Sequence, residues 1–296
     1  MVEKNKGFQV FAHIVMIFLA VCCIFPFLLL IMSSLTEEQE LIRNGYSLLP
    51  QKLSLESYAY MFKSSNKIFR AYGVTIISTV AGTVCGLTMT VLMAYALSRR
   101  DLPGRNIMAF YVFFTMLFSG GLVPTYIMYT RYIKVSNTIW ALIIPSLLVN
   151  AFYVIMMRTY FNTNIPDAII EAARIDGAGE WRILITIVLP MSVPMVATMT
   201  LLIGLSYWND WKNGLYYLQQ NKSLYSIQVL LNDMLRDVQA LKSGLDAASA
   251  AEIAATMPST GIKMAIAVVG VLPVLVVYPF FQKYFVKGIT IGAVKG

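Results

Sequence analysis

From Phe8 to Met32 the chain carries no Asp, Glu, Lys or Arg. A bilayer core about 30 Å thick is crossed by roughly 20 apolar helical residues, so this run alone commits the chain to a membrane. Five further apolar runs follow, each bounded by charged or Gly/Pro-rich turns. The pattern predicts an all-α membrane protein with six transmembrane helices over 8–32, 72–98, 106–128, 140–157, 191–207 and 261–284. Composition agrees: 58% of the 296 residues are hydrophobic and 13% charged, against about 45–50% and about 25% in soluble domains.

The run 8–32 follows Lys4 and Lys6, as a signal peptide would. It is too long for one and ends in no small-x-small cleavage site, so an uncleaved first span with a cytoplasmic N-terminus is expected. The net charge of +8 is spread over loops and span ends without a basic face, which argues against nucleic acid as a partner. Anionic lipid and the topology rule produce such a bias. Arg99, Arg100, Arg158, Lys283 and Lys287 lie at ends assigned to the cytoplasm. Basic residues are nonetheless about as numerous outside, so charge alone supports the orientation only by density.

Cys22, Cys23 and Cys85 all fall inside apolar runs and are expected to be packing residues rather than a disulfide or metal set. His13, in the first run, is expected to pack near an interface. No metal-ligand, nucleophile or phosphate-loop spacing occurs, and no catalytic residue or bound cofactor is expected in this chain. Apart from His13 the middle of each span lacks ionisable groups, which are the usual mark of ion or proton relays. Energy for any transport must therefore be supplied elsewhere, and the chain has no G-x-x-x-x-G-K-[ST] motif of its own.

Between the spans, Thr36 with Gln39 forms a potential capping box at the start of an ordered outside loop, with a second short helix near Tyr58. Gly82, Gly86 and Ala94 permit close helix approach in the second span. Ser119 to Pro124 predicts a kink or an unwound turn in the third, which lipid tolerates only where the backbone is buried in protein or lines a cavity. Gly214 to Thr260 is a long outside segment, with a helix expected over 243–255.

The most structured stretch outside the spans is Pro166–Pro190, PDAIIEAARIDGAGEWRILITIVLP. Pro166 suits a first helical position and Asp167 favours the positive end of that helix. Asp176 and Gly177 break it. A second helical piece over Glu180–Leu189 is expected to close at Pro190. Ile169, Ile170, Ile175, Ile183, Leu184 and Ile187 must be covered by the bundle or by a partner.

Glu171, Ala172, Ala173, Gly177, Ile187, Leu189 and Pro190 stand at the spacing of the EAA loop, and the stretch, with Asp176 before its glycine, resembles that of bacterial ABC importer permeases. The resemblance extends along the chain and implies a single permease domain over 1–296 with the type I importer fold. It further implies that 166–190 is a cytoplasmic coupling helix docking on an ATP-hydrolysing subunit. ATP and Mg would then be bound by partner subunits. Implied partners are a second homologous permease, two ATP-binding subunits, an extracytoplasmic sugar-binding protein and membrane lipid. The implied location is the bacterial cytoplasmic (inner) membrane, with both termini inside.

After the fifth span comes Tyr207-Trp208-Asn209-Asp210-Trp211. Rings beside amide and carboxylate groups suit a sugar, whose C–H faces stack while its hydroxyls hydrogen-bond. They equally suit an interfacial aromatic belt. In the family a Trp-Asn-acidic sequence here is typical of sugar permeases, so Trp208, Asn209 and Asp210 become candidates for a substrate path or gate. The tail 285–296 resembles that of the smaller permease of maltose-type importers. This implies that Gly292, Val294, Lys295 and Gly296 contact the ATPase subunits, in an extended conformation that the glycines favour. The expected function is that of a membrane subunit of an ATP-driven oligosaccharide or polysaccharide importer. Rivals are an ABC permease for another solute and a self-sufficient secondary carrier or channel.

Overall fold

The structure is a computed structural model that describes residues 6–62, 65–243 and 259–293. Among these residues it is helical and contains no strand; one isolated antiparallel bridge joins Thr36 and Leu53. The predicted all-α class is what is observed. Among the described residues three helices are long and apolar enough to cross a membrane, Gly7–Ser34, Asn66–Ser98 and Thr260–Phe280. Two bent pairs, Arg105–Leu117 with Leu122–Tyr132 and Glu180–Met191 with Val193–Trp208, raise the number to as many as five.

The chain forms two units. The first comprises Met1–Ile68 and Leu231–Pro273. In it, α1 (Lys6–Ser34) leaves its apolar side chains uncovered, as a helix facing lipid or another subunit must. Cys22 and Cys23 are exposed on it, and Cys85 is exposed in the other unit, so none of the three is the packing residue expected. His13 bonds through Nδ1 to the Gln9 carbonyl at 2.6 Å. Next come α2 (Glu38–Asn44) and α3 (Glu56–Phe62). The expected capping box is absent. Glu37 holds the N-cap position without a side-chain cap bond, because the Thr36 hydroxyl turns back to the Met32 carbonyl at 2.7 Å. The acidic residues of α2 tie down backbone instead. Glu40 accepts the N–H groups of Gln51 and Lys52 at 2.7 and 2.8 Å. Tyr58 meets Ser34 at 2.7 Å.

The second unit comprises Phe69–Leu230 and Val274–Gly296. Its core is built by α4 (Ser65–Ser98), α5 (Arg105–Leu117), α7 (Ala151–Asn164) and α11 (Val193–Trp208) around Ala94, Leu97, Val112, Val154, Met157, Phe161 and Met199. The small residues of α4 do what the sequence implies. Ala94 is fully buried, and a side chain at Gly82 would enter the ring of Tyr207. At Gly86 it would press on Ile203 and the Leu148 carbonyl. The segment predicted as the third span bends by 114° between α5 and α6 (Leu122–Ile127), at the predicted glycines, where Gly121 has φ 84°.

The segment 140–157 is not one continuous helix. A 3₁₀ turn, Ile139–Leu142, gives way to irregular backbone before α7. Pro145 has no N–H and disfavours a helical conformation at the residue before it, and Ser146 follows at φ 60°. Beyond α11 lie α12 (Lys212–Tyr217) and α13 (Ile227–Ser243); the helix expected over 243–255 lies outside the described residues after Ser243. The last helix, α14, runs Ser259–Ala293. The tail is therefore helical to Ala293 rather than extended. An apolar run with few breakers propagates through Gly288 and Gly292, which cost only about 1 kcal/mol each in a helix.

Candidate functional site

The stretch between α7 and α11 folds as two short helices with a glycine turn between them. Pro166 is the N-cap of α8 (Asp167–Ile175), one position earlier than predicted, and Asp167 pairs with Arg100 at 3.3 Å. Asp176 closes α8. Gly177 then takes φ 79°, a conformation that disfavours any residue with a Cβ. The N–H groups of Gly177 and Ala178 donate to the carbonyls of Arg174 and Ala173 at 3.0 and 2.9 Å, satisfying the end of the helix.

The second piece, α9 (Glu180–Ile183), does not stop at Pro190. It widens into a π turn over Leu184–Val188, just before the proline whose missing N–H removes the bond to Thr186. It continues as α10 (Leu189–Met191) and bends by 86° at Ser192 into α11. Leu189 and Pro190 thus lie within a bent helical pair instead of terminating a helix.

One face of this loop is packed. Ile170, Ile183, Leu184 and Val188 are buried in the core of the unit, with Ala173, Ala178 and Leu189 against it. The other face is open: Glu171, Ala172, Asp176 and Gly177 are exposed, and Ile175 and Trp181 are 86% and 67% exposed. Of the apolar residues needing cover, Ile170, Ile183 and Leu184 have it, Ile187 is half-buried, and Ile169 and Ile175 do not.

A polar network joins the loop to the end of α4. Arg174 pairs with Asp101 and with Glu180, both at 2.7 Å. The buried Tyr95 donates its hydroxyl to Glu180 at 2.6 Å. Asp101 is held below the usual carboxylate range by its own backbone N–H and then by Arg174. Arg174 is pushed up by its bonds to Glu180 and Asp101. A cavity of about 540 Å³ opens here, lined among others by Leu92, Tyr95, Arg99, Asp101, Trp181 and Leu184. Sequence reasoning missed Tyr95, Asp101, Arg174 and Glu180, because a bond between residues 85 apart leaves no local pattern.

The aromatic-amide stretch is also brought together with the broken backbone of 143–150. Tyr207 is buried and donates to the Ile143 carbonyl at 2.9 Å. Asn213 donates through Nδ2 to the Pro145 carbonyl at 2.9 Å. These two side chains satisfy carbonyls that the missing helix leaves free. Trp208 lies 6.4 Å from Tyr72, ring to ring; Asn209 is exposed and Trp211 half-buried. Asp210 takes the Asn213 N–H on Oδ1 at 3.3 Å, while its Oδ2 is buried without a hydrogen bond. Burial pushes its carboxyl up to about 6. Tyr207 is therefore a bracing residue; Asn209 is exposed, whereas Asp210 keeps its Oδ2 buried. In the tail, Gly292 lies on α14, while Val294, Lys295 and Gly296 lie outside the described residues. Among the described residues no group of His, Cys, Asp and Glu is placed to hold a metal ion.

Residues 82–291 match the family model described as the binding-protein-dependent transport system inner membrane component. The chain is 38% identical over 294 residues to the polygalacturonan/rhamnogalacturonan transport system permease protein YtcP of Bacillus subtilis, covering 99% of this chain and 100% of that protein. It is 30% identical over 283 residues to the arabinooligosaccharides transport system permease protein AraQ of Halalkalibacterium halodurans, covering 94% of each. Among solved structures it resembles a chain from the crystal structure of a bacterial ABC transporter involved in the import of the acidic polysaccharide alginate. The TM-score is 0.78 and the identity 28%, over 96% of this chain and 99% of that one. With the loop and the span ends placed as described, the chain belongs to the family of binding-protein-dependent transport system inner membrane components.

Proposed function

We propose that this chain is the smaller membrane subunit of an ATP-driven importer for an oligosaccharide or polysaccharide delivered by an extracytoplasmic binding protein. The observation that carries the proposal is the half-packed loop of 166–190. Its inner face is part of the core, and its outer face presents Glu171, Ala172, Ile175 and Gly177 without cover. A surface of that kind on a membrane subunit is what an ATPase subunit would grip. The relatives' saccharide substrates support the choice of solute.

In this proposal the chain crosses the membrane six times with both termini in the cytoplasm of a bacterial cell. The fourth crossing is made by the turn Ile139–Leu142, the irregular backbone and α7; the fifth is α11. A second homologous permease completes the path, and two ATPase subunits bind ATP and Mg. Closure of the ATPase pair moves the loop, and the spans reopen outward. Such a shift follows only from contacts that differ between the two states. Trp208, Asn209 and Asp210 form the outer gate, with Tyr207 and Trp211 behind them. The tail contact through Gly292, Val294, Lys295 and Gly296 rests on the sequence alone.

Reconstitution tests the whole proposal. The complex in liposomes, given loaded binding protein and ATP, should accumulate a saccharide from a panel of galacturonide, arabinose-based and neutral chains. Accumulation by this chain alone, or of none of the saccharides by the full complex, would refute it.

A further inference from the structure

The loop is attached to the rest of its unit in two physically different ways. Ile170, Ile183, Leu184 and Val188 are held by apolar burial, which is non-directional and tolerates sliding. Directional attachments are fewer: Asp167 pairs with Arg100, in the turn after α4, at 3.3 Å, and the rest gather around Glu180 and Arg174. Glu180 Oε1 accepts Nε and Nη2 of Arg174, on α8, at 3.0 and 2.7 Å. Its Oε2 accepts the hydroxyl of Tyr95, in the last turn of α4, at 2.6 Å. Arg174 reaches on to Asp101, in the turn after α4, at 2.7 Å. One carboxylate thus fixes both halves of the loop to each other and to α4. Farther along the same helix, Gly82 lies against the ring of Tyr207, which braces the carbonyl of Ile143 at 2.9 Å.

From this arrangement we infer that Glu180, with Tyr95 and Arg174, is a positioning unit that carries displacement of the loop into α4, and so toward the outer gate. The inference rests on the loop being the contact with the ATPase subunits. Without the Glu180 bonds the loop would still dock and keep its ion pairs to Arg100 and Asp101 in the turn after α4, but it would lose its hydrogen bond to α4 itself. A chain of contacts is not by itself coupling, so the unit must be tested by what it transmits.

The test uses the assembled complex in liposomes and measures ATPase stimulation by loaded binding protein, relative to each variant's own basal rate. Tyr95→Phe and Glu180→Gln should each lower maximal stimulation roughly five-fold or more. The concentration of binding protein giving half-stimulation should stay within about two-fold, because docking occurs on the opposite side of the membrane. The double variant should be no worse than Glu180→Gln alone, since the bond that Tyr95→Phe removes is one that Glu180→Gln already alters. Should Glu180→Gln fail to assemble, Tyr95→Phe, which removes a single oxygen, carries the test. Glu171→Lys is the control. If it abolishes stimulation while both strut variants keep wild-type values, or if their losses simply add, the positioning unit is refuted and the loop assignment stands. If Glu171→Lys also leaves stimulation intact, the loop assignment fails and the positioning unit with it.

Discussion

Glu38 caps Gly261. The carboxylate accepts the N–H of Gly261 at 2.7 Å and that of Thr260 at 2.8 Å, so a residue of α2 satisfies the first turn of the last helix, 223 positions away. Glu38 is 8% exposed, and a side chain at Gly261 would enter Ser57. A carboxylate at a helix N-terminus is favoured both by the orphan N–H groups and by the helix dipole.

Glu38→Ala should therefore destabilise the chain by about 0.5–2 kcal/mol, read as a lowered melting temperature of the purified complex. Glu38→Gln, which keeps an acceptor oxygen but loses the charge, should lie between the two. Equal melting temperatures for all three would remove the cap from the account.

Gly82 and Gly73 lie on the same helix and should respond in opposite ways. A Cβ at Gly82 meets the Tyr207 ring, whereas nothing lies within 4 Å of one at Gly73. Gly82→Val should cost about 1–3 kcal/mol through overpacking and reduce transport by shifting Tyr207 from Ile143. Gly73→Ala should be neutral or stabilise by up to about 1 kcal/mol. Thermal unfolding of the two variants decides it.

Asp210 gives the account a pH signature. Its carboxyl is raised to about 6 by burial, above the ordinary value near 3.9. A raised acid contributes stability in its neutral form, in full below the unfolded value, and loses that contribution as pH rises through about 6. Asp210→Asn removes the charge, so it should exceed wild type in stability by about 1–3 kcal/mol at pH 8. That gap should shrink as pH falls from 6 toward 4. Melting curves at pH 8 and pH 5 measure it; a gap independent of pH would contradict the buried-carboxylate description.

Gly177 should tolerate asparagine better than valine. Its φ of 79° meets open space, so only backbone preference opposes a side chain. Asn visits the left-handed region more readily than a β-branched residue. Stimulated ATPase activity should be largely kept in Gly177→Asn and lost in Gly177→Val. Equal activity would show that the turn is not set by that dihedral.

Legibility of the sequence tracked the range of the interactions. The break at Gly177, the bend at Ser119–Pro124 and the close approach at Gly82 and Gly86 are local consequences of residue type, and each could be read in advance. Pro145 was an equally local signal inside 140–157, but the apolar run around it masked the unwound backbone. Pro190 misled in the other direction: a proline near the start of a helical piece is accommodated, here by the preceding π turn. The Thr36 box failed because the hydroxyl had a nearer acceptor in Met32. Glu38 with Gly261 and Tyr95 with Glu180 are products of tertiary packing, invisible to any window along the chain.

The central claim is that the open face of α8 meets an ATPase subunit in the cytoplasm. Ala172, exposed on that face, can be replaced by cysteine after Cys22, Cys23 and Cys85 are changed to serine. The account predicts that a membrane-impermeant maleimide labels it in inside-out but not right-side-out vesicles, and that a short bifunctional reagent joins it to the ATPase subunit in the assembled complex. Labelling from the outside, or no cross-link to any subunit when the complex is intact, would contradict it.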